Sequence, residues 1–195
     1  DFSEDTYRTL TAVDSAVMLI DAAKGVEPQT IKLFKVCRMR GIPIFTFCNK
    51  LDRYGRAPLE LMDDLEKVLG IRAWPINWPI GSGPDFRGVY DRRTKDVIVF
   101  STEGDHGETE VGEKRIPLAS PDIKSLLSDA ELEKLNEDIE LLDIGGEPFD
   151  LELVKKGQLS PMFFGSAMTN FGVRPFLDVF LEMAPKPAAR QTHTG

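Results

Sequence analysis

The sequence predicts an α/β fold of the doubly wound type, interrupted by an inserted α+β segment. Three observations lead there. Short continuous apolar runs alternate with amphipathic helical stretches over residues 15–70 and again over 161–183, the rhythm of strands and crossover helices. Between them the rhythm breaks into short alternating runs separated by turn residues. The charge breaks at the same place: Asn77 to Ser160 carries 10 basic and 19 acidic residues, a net of −9, while the rest of the 195-residue chain carries 14 basic and 13 acidic, a net of +1. The expected division is a near-neutral body, 1–76 with 161–195, and an acidic inserted subdomain, 77–160.

Taken in order, Ser3-Glu4-Asp5-Thr6-Tyr7-Arg8-Thr9-Leu10 reads as the opening of a helix, with Ser3 at the N-cap and carboxylates in the first turn. Ser15-Ala16-Val17-Met18-Leu19-Ile20, stopped by Asp21, has the pattern of a parallel strand buried on both faces. A turn at Lys24-Gly25 precedes a helix from Pro28 to about Arg40. Pro28 suits its first turn, Ile31, Phe34, Val36 and Met39 form its apolar stripe, and Gly41 ends it. The unit then repeats. Ile42 to Cys48 predicts a second buried strand, and Pro58 to Leu69 a second helix capped by Gly70. Pro161-Met162-Phe163-Phe164 predicts the third strand, and Val173 to Met183 the last helix.

Inside the insert, Trp78-Pro79-Ile80-Gly81-Ser82-Gly83-Pro84 reads as a turn-rich lead-in. Gly88 to Tyr90, Val97 to Phe100 and Glu113 to Ile116 read as short antiparallel strands. Ser128-Asp129-Ala130-Glu131 opens a helix to about Leu142, and Phe149 to Lys156 suggests another. Pro185 to Thr192 has the composition of a linker, which predicts that more chain follows.

Composition narrows the function classes. The chain is 42% hydrophobic and 29% charged, enough for a core and a solvated surface. No apolar run approaches the roughly 20 residues of a membrane-spanning helix. The acidic start, Asp1 to Asp5, is unlike a secretory signal or a transit peptide. A net charge of −8 argues against broad nucleic-acid binding and direct DNA contact. Cys37 and Cys48 sit in apolar patterns and are too few for a disulfide scaffold. A cytoplasmic globular protein with no membrane partner is expected.

Ligands of open α/β sheets sit outside the carboxyl ends of the strands, and two such ends carry informative residues. After the second strand comes Asn49-Lys50-Leu51-Asp52, similar to the guanine-recognition motif Asn-Lys-x-Asp of GTPases. The resemblance implies that Asp52 accepts two hydrogen bonds, from guanine N1–H and the exocyclic amino group, a charge-assisted pair that adenine cannot offer. Asn49 would tie the loop and reach the base edge, and the stem of Lys50 would cover a ring face. After the third strand comes Gly165-Ser166-Ala167, which resembles the companion motif. There the backbone, chiefly the N–H of Ala167, would meet guanine O6, with Ser166 beside it.

A wider resemblance joins these motifs. Asp1-Phe2-Ser3-Glu4-Asp5-Thr6, Val17-Met18-Leu19-Ile20-Asp21-Ala22 and Gly25-Val26-Glu27-Pro28-Gln29-Thr30 look like the translational GTPases, over nearly the whole chain. Asn49 to Arg53, Trp78-Pro79-Ile80-Gly81 and Phe86-Arg87-Gly88-Val89-Tyr90 are most similar to the termination branch of that family. The resemblance implies a P-loop-NTPase-type sheet, a GTP/GDP ligand with Mg²⁺ in the parent protein, and an acidic insert. It also implies that the ribosome and class I release factors are partners in recycling, with a ribosomal stalk protein at the insert. The alternatives are an elongation-type member of the same family and a non-catalytic acidic protein-interaction module.

The spacing from Asp52 to Ser166 agrees with an insertion, because one helix and one strand need only about 30 residues. No Gly-x-x-x-x-Gly-Lys-Ser/Thr and no Asp-x-x-Gly-His occurs in the sequence. The expectation is therefore the base-binding, carboxyl-terminal half of a G domain, with no catalytic residue and no metal ligand of its own, and inactive alone. Trp74 and Trp78 are read as packing at the insert junction. Glu131, Glu133, Glu137, Asp138 and Glu140 are read as a solvated helix face. Cys48 is read as a core residue, and His106 and His193 as solvated bystanders.

Overall fold

The structure is a computed structural model, describing residues 13–101 and 112–185. The expected helix at Ser3 to Leu10, His106, and the tail beyond Pro185 lie outside the described residues. The elements are β1 (Ala16–Asp21), α1 (Pro28–Met39), β2 (Ile44–Asn49), α2 (Pro58–Leu69), β3 (Arg72–Pro75), β4 (Asn77–Ile80), β5 (Gly88–Asp91), β6 (Asp96–Ser101), β7 (Gly112–Pro117), α3 (Asp129–Gly145), α4 (Leu151–Lys155), β8 (Leu159–Phe164) and α5 (Val173–Met183).

Two sheets organise them. One is parallel, in the order β1-β2-β8-β3, and the other antiparallel, in the order β4-β5-β6-β7. Side-chain alternation on the central strands explains how the parallel sheet is covered. Ile44 and Cys48 of β2 and Met162 and Phe164 of β8 face a core shared with Phe34 and Cys37 of α1, Leu61, Leu65 and Leu69 of α2, and the antiparallel sheet. Phe45, Phe47, Leu159 and Phe163 face the other way, onto Val154 of α4 and Phe176, Val179 and Met183 of α5. Helices thus pack on both faces, and the α/β class and doubly wound sheet are as predicted. Thr46 and Ser160 are buried, but their hydroxyls lie 2.8 Å apart and that of Ser160 donates to the Ile44 carbonyl. Burial therefore leaves neither polar group unpaired.

The helix ends follow the sequence closely. Pro28 and Pro58 begin α1 and α2, and Gly70 ends α2 in the left-handed conformation at φ 64°. Ser128 and Glu131 form a reciprocal capping box at the start of α3.

Three expectations need correction. β1 is not buried on both faces: Val17 and Leu19 are exposed, because β1 is the edge of the described sheet and α5 packs over β2 and β8 instead. A fourth body strand, β3, pairs in parallel with β8. Its four-residue length and Pro75 hid it. Trp78, Pro79 and Ile80, expected as part of a turn-rich lead-in, belong to β4 despite Pro79. β4 is an edge strand, where a residue without an N–H is tolerated.

Trp78 packs where the sheets meet, its ring centroid 5.4 Å from that of Phe164 in an edge arrangement. Its Nε1–H donates to Asp138 of α3 at 3.0 Å. Among the described residues, no helix is long and apolar enough to cross a membrane.

Candidate functional site

β1 and β2 end in register at Asp21 and Asn49, and β8 ends one residue before Gly165. The parallel sheet therefore brings both sequence motifs to one edge. Backbone bonds stitch the two loops together: Gly165 N–H donates to Cys48 O at 3.0 Å, and Leu51 N–H donates to Gly165 O at 3.2 Å. Gly165 must be glycine, since a Cβ there would lie 2.6 Å from the Phe171 carbonyl and 2.8 Å from the Phe47 ring.

Asn49 is the hub. Its Oδ1 accepts from Lys50 N–H and from Ala167 N–H, each at 2.8 Å. Asn49 thus joins the two motifs directly. Lys50 is held at φ 69°, a conformation that side chains rarely adopt. This aims its ammonium at Asp21 Oδ2, 2.6 Å away. The hydrogen bond from Lys50, aided by one from Ala23 N–H, holds the Asp21 carboxyl below the usual carboxylate value. Asp21, which neither motif includes, joins them at this edge through Lys50; the signal for it was its place at the carboxyl end of β1.

Asp52 has a side chain mostly shielded from solvent. Its Oδ1 is buried with no hydrogen-bond partner among the described residues, and its Oδ2 lies 3.9 Å from Arg53 Nε. A buried carboxylate oxygen without a donor is costly, so Asp52 keeps unused acceptor capacity among the described residues. Arg53 reaches on to Met168 Sδ at 3.5 Å, a second strap between the loops.

Ser166 is fully buried, and its hydroxyl accepts from Thr169 N–H at 3.3 Å while its own N–H donates to Phe171 O at 2.9 Å. It shapes the turn that presents Ala167. Cys48, beside Asn49, is fully buried, and burial pushes its thiol far up, as suits a core residue and not a nucleophile.

The arrangement sets a carboxylate acceptor, Asp52, on the same sheet edge as the Ala167 N–H that Asn49 holds. Among the described residues, no group of three or more His, Cys, Asp or Glu side chains gathers to hold a metal ion. A separate cleft of about 420 Å³ lies where the loop after β2 meets the antiparallel sheet, lined by Leu51, Arg53, Arg56, Trp78, Lys134 and Asp138 among others. Asn49, Asp52 and Ala167 do not line it.

Comparison with known proteins bears on this geometry. The family described as "Elongation factor Tu GTP binding domain" matches residues 1–186. The chain is 58% identical to peptide chain release factor 3 of Symbiobacterium thermophilum over 190 residues, covering 97% of this chain and 36% of that protein. It is 55% identical to the protein of the same name from Acaryochloris marina and 56% to that from Gloeothece citriformis, over 195 residues, all of this chain and 36% of each relative. The chain thus spans 36% of the length of these relatives. The crystal structure of a Thermus thermophilus protein shares the fold, with a TM-score of 0.65 at 24% identity over 95% of this chain and 29% of that one.

Proposed function

The chain belongs to the elongation factor Tu GTP-binding domain family, membership that implies guanine-nucleotide binding, and we propose that Asn49, Lys50, Asp52, Ser166 and Ala167 form its guanine site. The 2.8 Å bond between Asn49 Oδ1 and Ala167 N–H carries this reading, because it unites two loops separated by 118 positions in sequence. The orphaned Oδ1 of Asp52 supports it. Asp52 takes the N1–H and amino group of guanine, Ala167 N–H exchanges its bond to Asn49 Oδ1 for one to O6 when the base enters, and Lys50 covers the ring while anchored on Asp21. Ser166 acts through the turn that it holds.

In this reading the body, 1–76 with 161–195, is the base-binding part of a G domain, and 77–160 is an acidic inserted subdomain. The whole protein is a GTP-hydrolysing termination factor that works on the ribosome in the cytoplasm and promotes recycling of class I release factors, with Mg²⁺ supplied to the nucleotide by residues outside this set. The relatives named peptide chain release factor 3 support this placement. Glu133, Glu137 and Glu140 lie exposed on α3 and form a surface for a basic protein such as a ribosomal stalk component.

The test is a titration of this chain with guanosine and with adenosine, followed through the backbone amide resonances. Guanosine should shift Asn49 to Asp52 and Ala167 saturably, and adenosine should not. Equal shifts with both nucleosides contradict the assignment.

A further inference from the structure

Asn77, the first residue of β4, is buried, and its side chain turns toward the other sheet. Its Nδ2 donates to Phe164 O at 3.1 Å, and its Oδ1 accepts from Phe164 N–H at 2.7 Å. An amide that both donates to and accepts from one residue reproduces the pairing of a neighbouring strand. It does so just where that neighbour ends. β3 pairs with β8 from Arg72↔Leu159 to Pro75↔Met162, and Ile76 N–H then donates to Met162 O. Asn77 carries the ladder one step further, with its side chain in place of backbone.

Phe164 is the last residue of β8 and is fully buried. Its polar groups face Asn77, and those of Gly165 face the other side, where they bond Cys48 and Leu51. Two residues on, Ala167 N–H meets Asn49. A continuous run of bonds therefore leads from the first residue of the antiparallel sheet to the hub of the candidate guanine site.

We propose that Asn77 is a positioning residue for the base-binding loop: it fixes the end of β8, and through it the height at which Ala167 is presented to the purine. The cavity beside Asn77 is only about 10 Å³, so a water has scarcely room to stand in for the amide while a side chain of that size is present. Removing the amide leaves two buried backbone groups unpaired, which costs more than a single lost bond. The loop that starts at Phe164 is the part free to move in response. The consequence for base binding rests on the guanine reading above; the consequence for the loop does not.

The test compares Asn77→Leu, which keeps the bulk and removes both bonds, with Leu135→Ala, which makes a cavity under α3 and removes none of these hydrogen bonds. Amide hydrogen exchange in the 195-residue chain and guanosine titration are the readouts. In Asn77→Leu, exchange at Phe164, Leu51 and Ala167 should rise about ten- to a hundredfold, and discrimination between guanosine and adenosine should fall. Leu135→Ala at a comparable loss of Tm should change neither. If Asn77→Leu does not fold, Asn77→Ala, which leaves space for a bridging water, carries the same comparison with a smaller rise. The proposal is overturned if Leu51 and Ala167 exchange as they do in Leu135→Ala. The guanine reading fails separately, when the unsubstituted chain responds alike to both nucleosides, and the exchange result stands in that case too.

Discussion

Lys50 Nζ lies 2.6 Å from Asp21 Oδ2, joining the carboxyl ends of β1 and β2 across the candidate site. The pair fixes a lysine whose backbone is left-handed, and so sets where its stem runs. Because the Lys50 hydrogen bond lowers the folded-state pKa of Asp21, its stabilisation is complete above the unfolded value of 3.8. It is lost as the pH falls through the lower folded value. The lysine head is nearly half exposed, so solvent screening holds the contribution to about 0.5 kcal/mol. Asp21→Asn should therefore lower Tm slightly near neutral pH, and the difference should vanish in strongly acid solution. A difference that grows on acidification contradicts the pairing.

This chain alone should hydrolyse no GTP. Phosphoryl transfer depends on a phosphate cradle, its lysine and a bound Mg²⁺, and the sequence contains no Gly-x-x-x-x-Gly-Lys-Ser/Thr. Phosphate release from GTP by the purified chain should match buffer with and without magnesium. A magnesium-dependent rate above buffer would falsify this expectation.

β1 should mediate self-association. Val17 is 40% exposed and Leu19 63%, both on one face of the edge strand of the described sheet. Unpaired edge groups beside apolar side chains invite pairing with another chain. Sedimentation should show association rising with concentration, and Leu19→Lys should reduce it. A monodisperse monomer at high concentration sinks the idea.

Charge reversal on α3 separates docking from mere solvation. Glu131 must be left intact, because it closes the capping box with Ser128 and lies 3.6 Å from Arg87. Glu133, Glu137 and Glu140 together can be changed to Lys in the longer protein. Ribosome-stimulated turnover should then slow, and its salt dependence should weaken. An unchanged rate and salt slope means that this face only meets water.

Local signals explain what the sequence revealed. Pro28, Pro58, Gly70 and the Ser128–Glu131 box act within one turn of their helices, so those ends were legible. β3 and β4 were not, because Pro75 and Pro79 interrupt four-residue segments too short to show strand alternation. Those strands exist because partner edges and a shared core hold them. The motif residues were legible as residue types at strand ends. Their connections were not: Asn77 meets Phe164 across 87 positions and Lys50 meets Asp21 across 29, contacts that only tertiary packing creates.

The most direct test of the central claim exchanges the hydrogen-bonding sense of Asp52. Xanthine carries a carbonyl where guanine has its amino donor, and the amide of Asp52→Asn can donate where the carboxylate cannot. Binding of GDP and xanthosine diphosphate to the longer protein, unsubstituted and as Asp52→Asn, is the measurement. A base-reading Asp52 predicts loss of GDP affinity by about tenfold or more and a gain for xanthosine diphosphate. GDP affinity held within about twofold, less than one lost charged hydrogen bond would produce, contradicts the assignment.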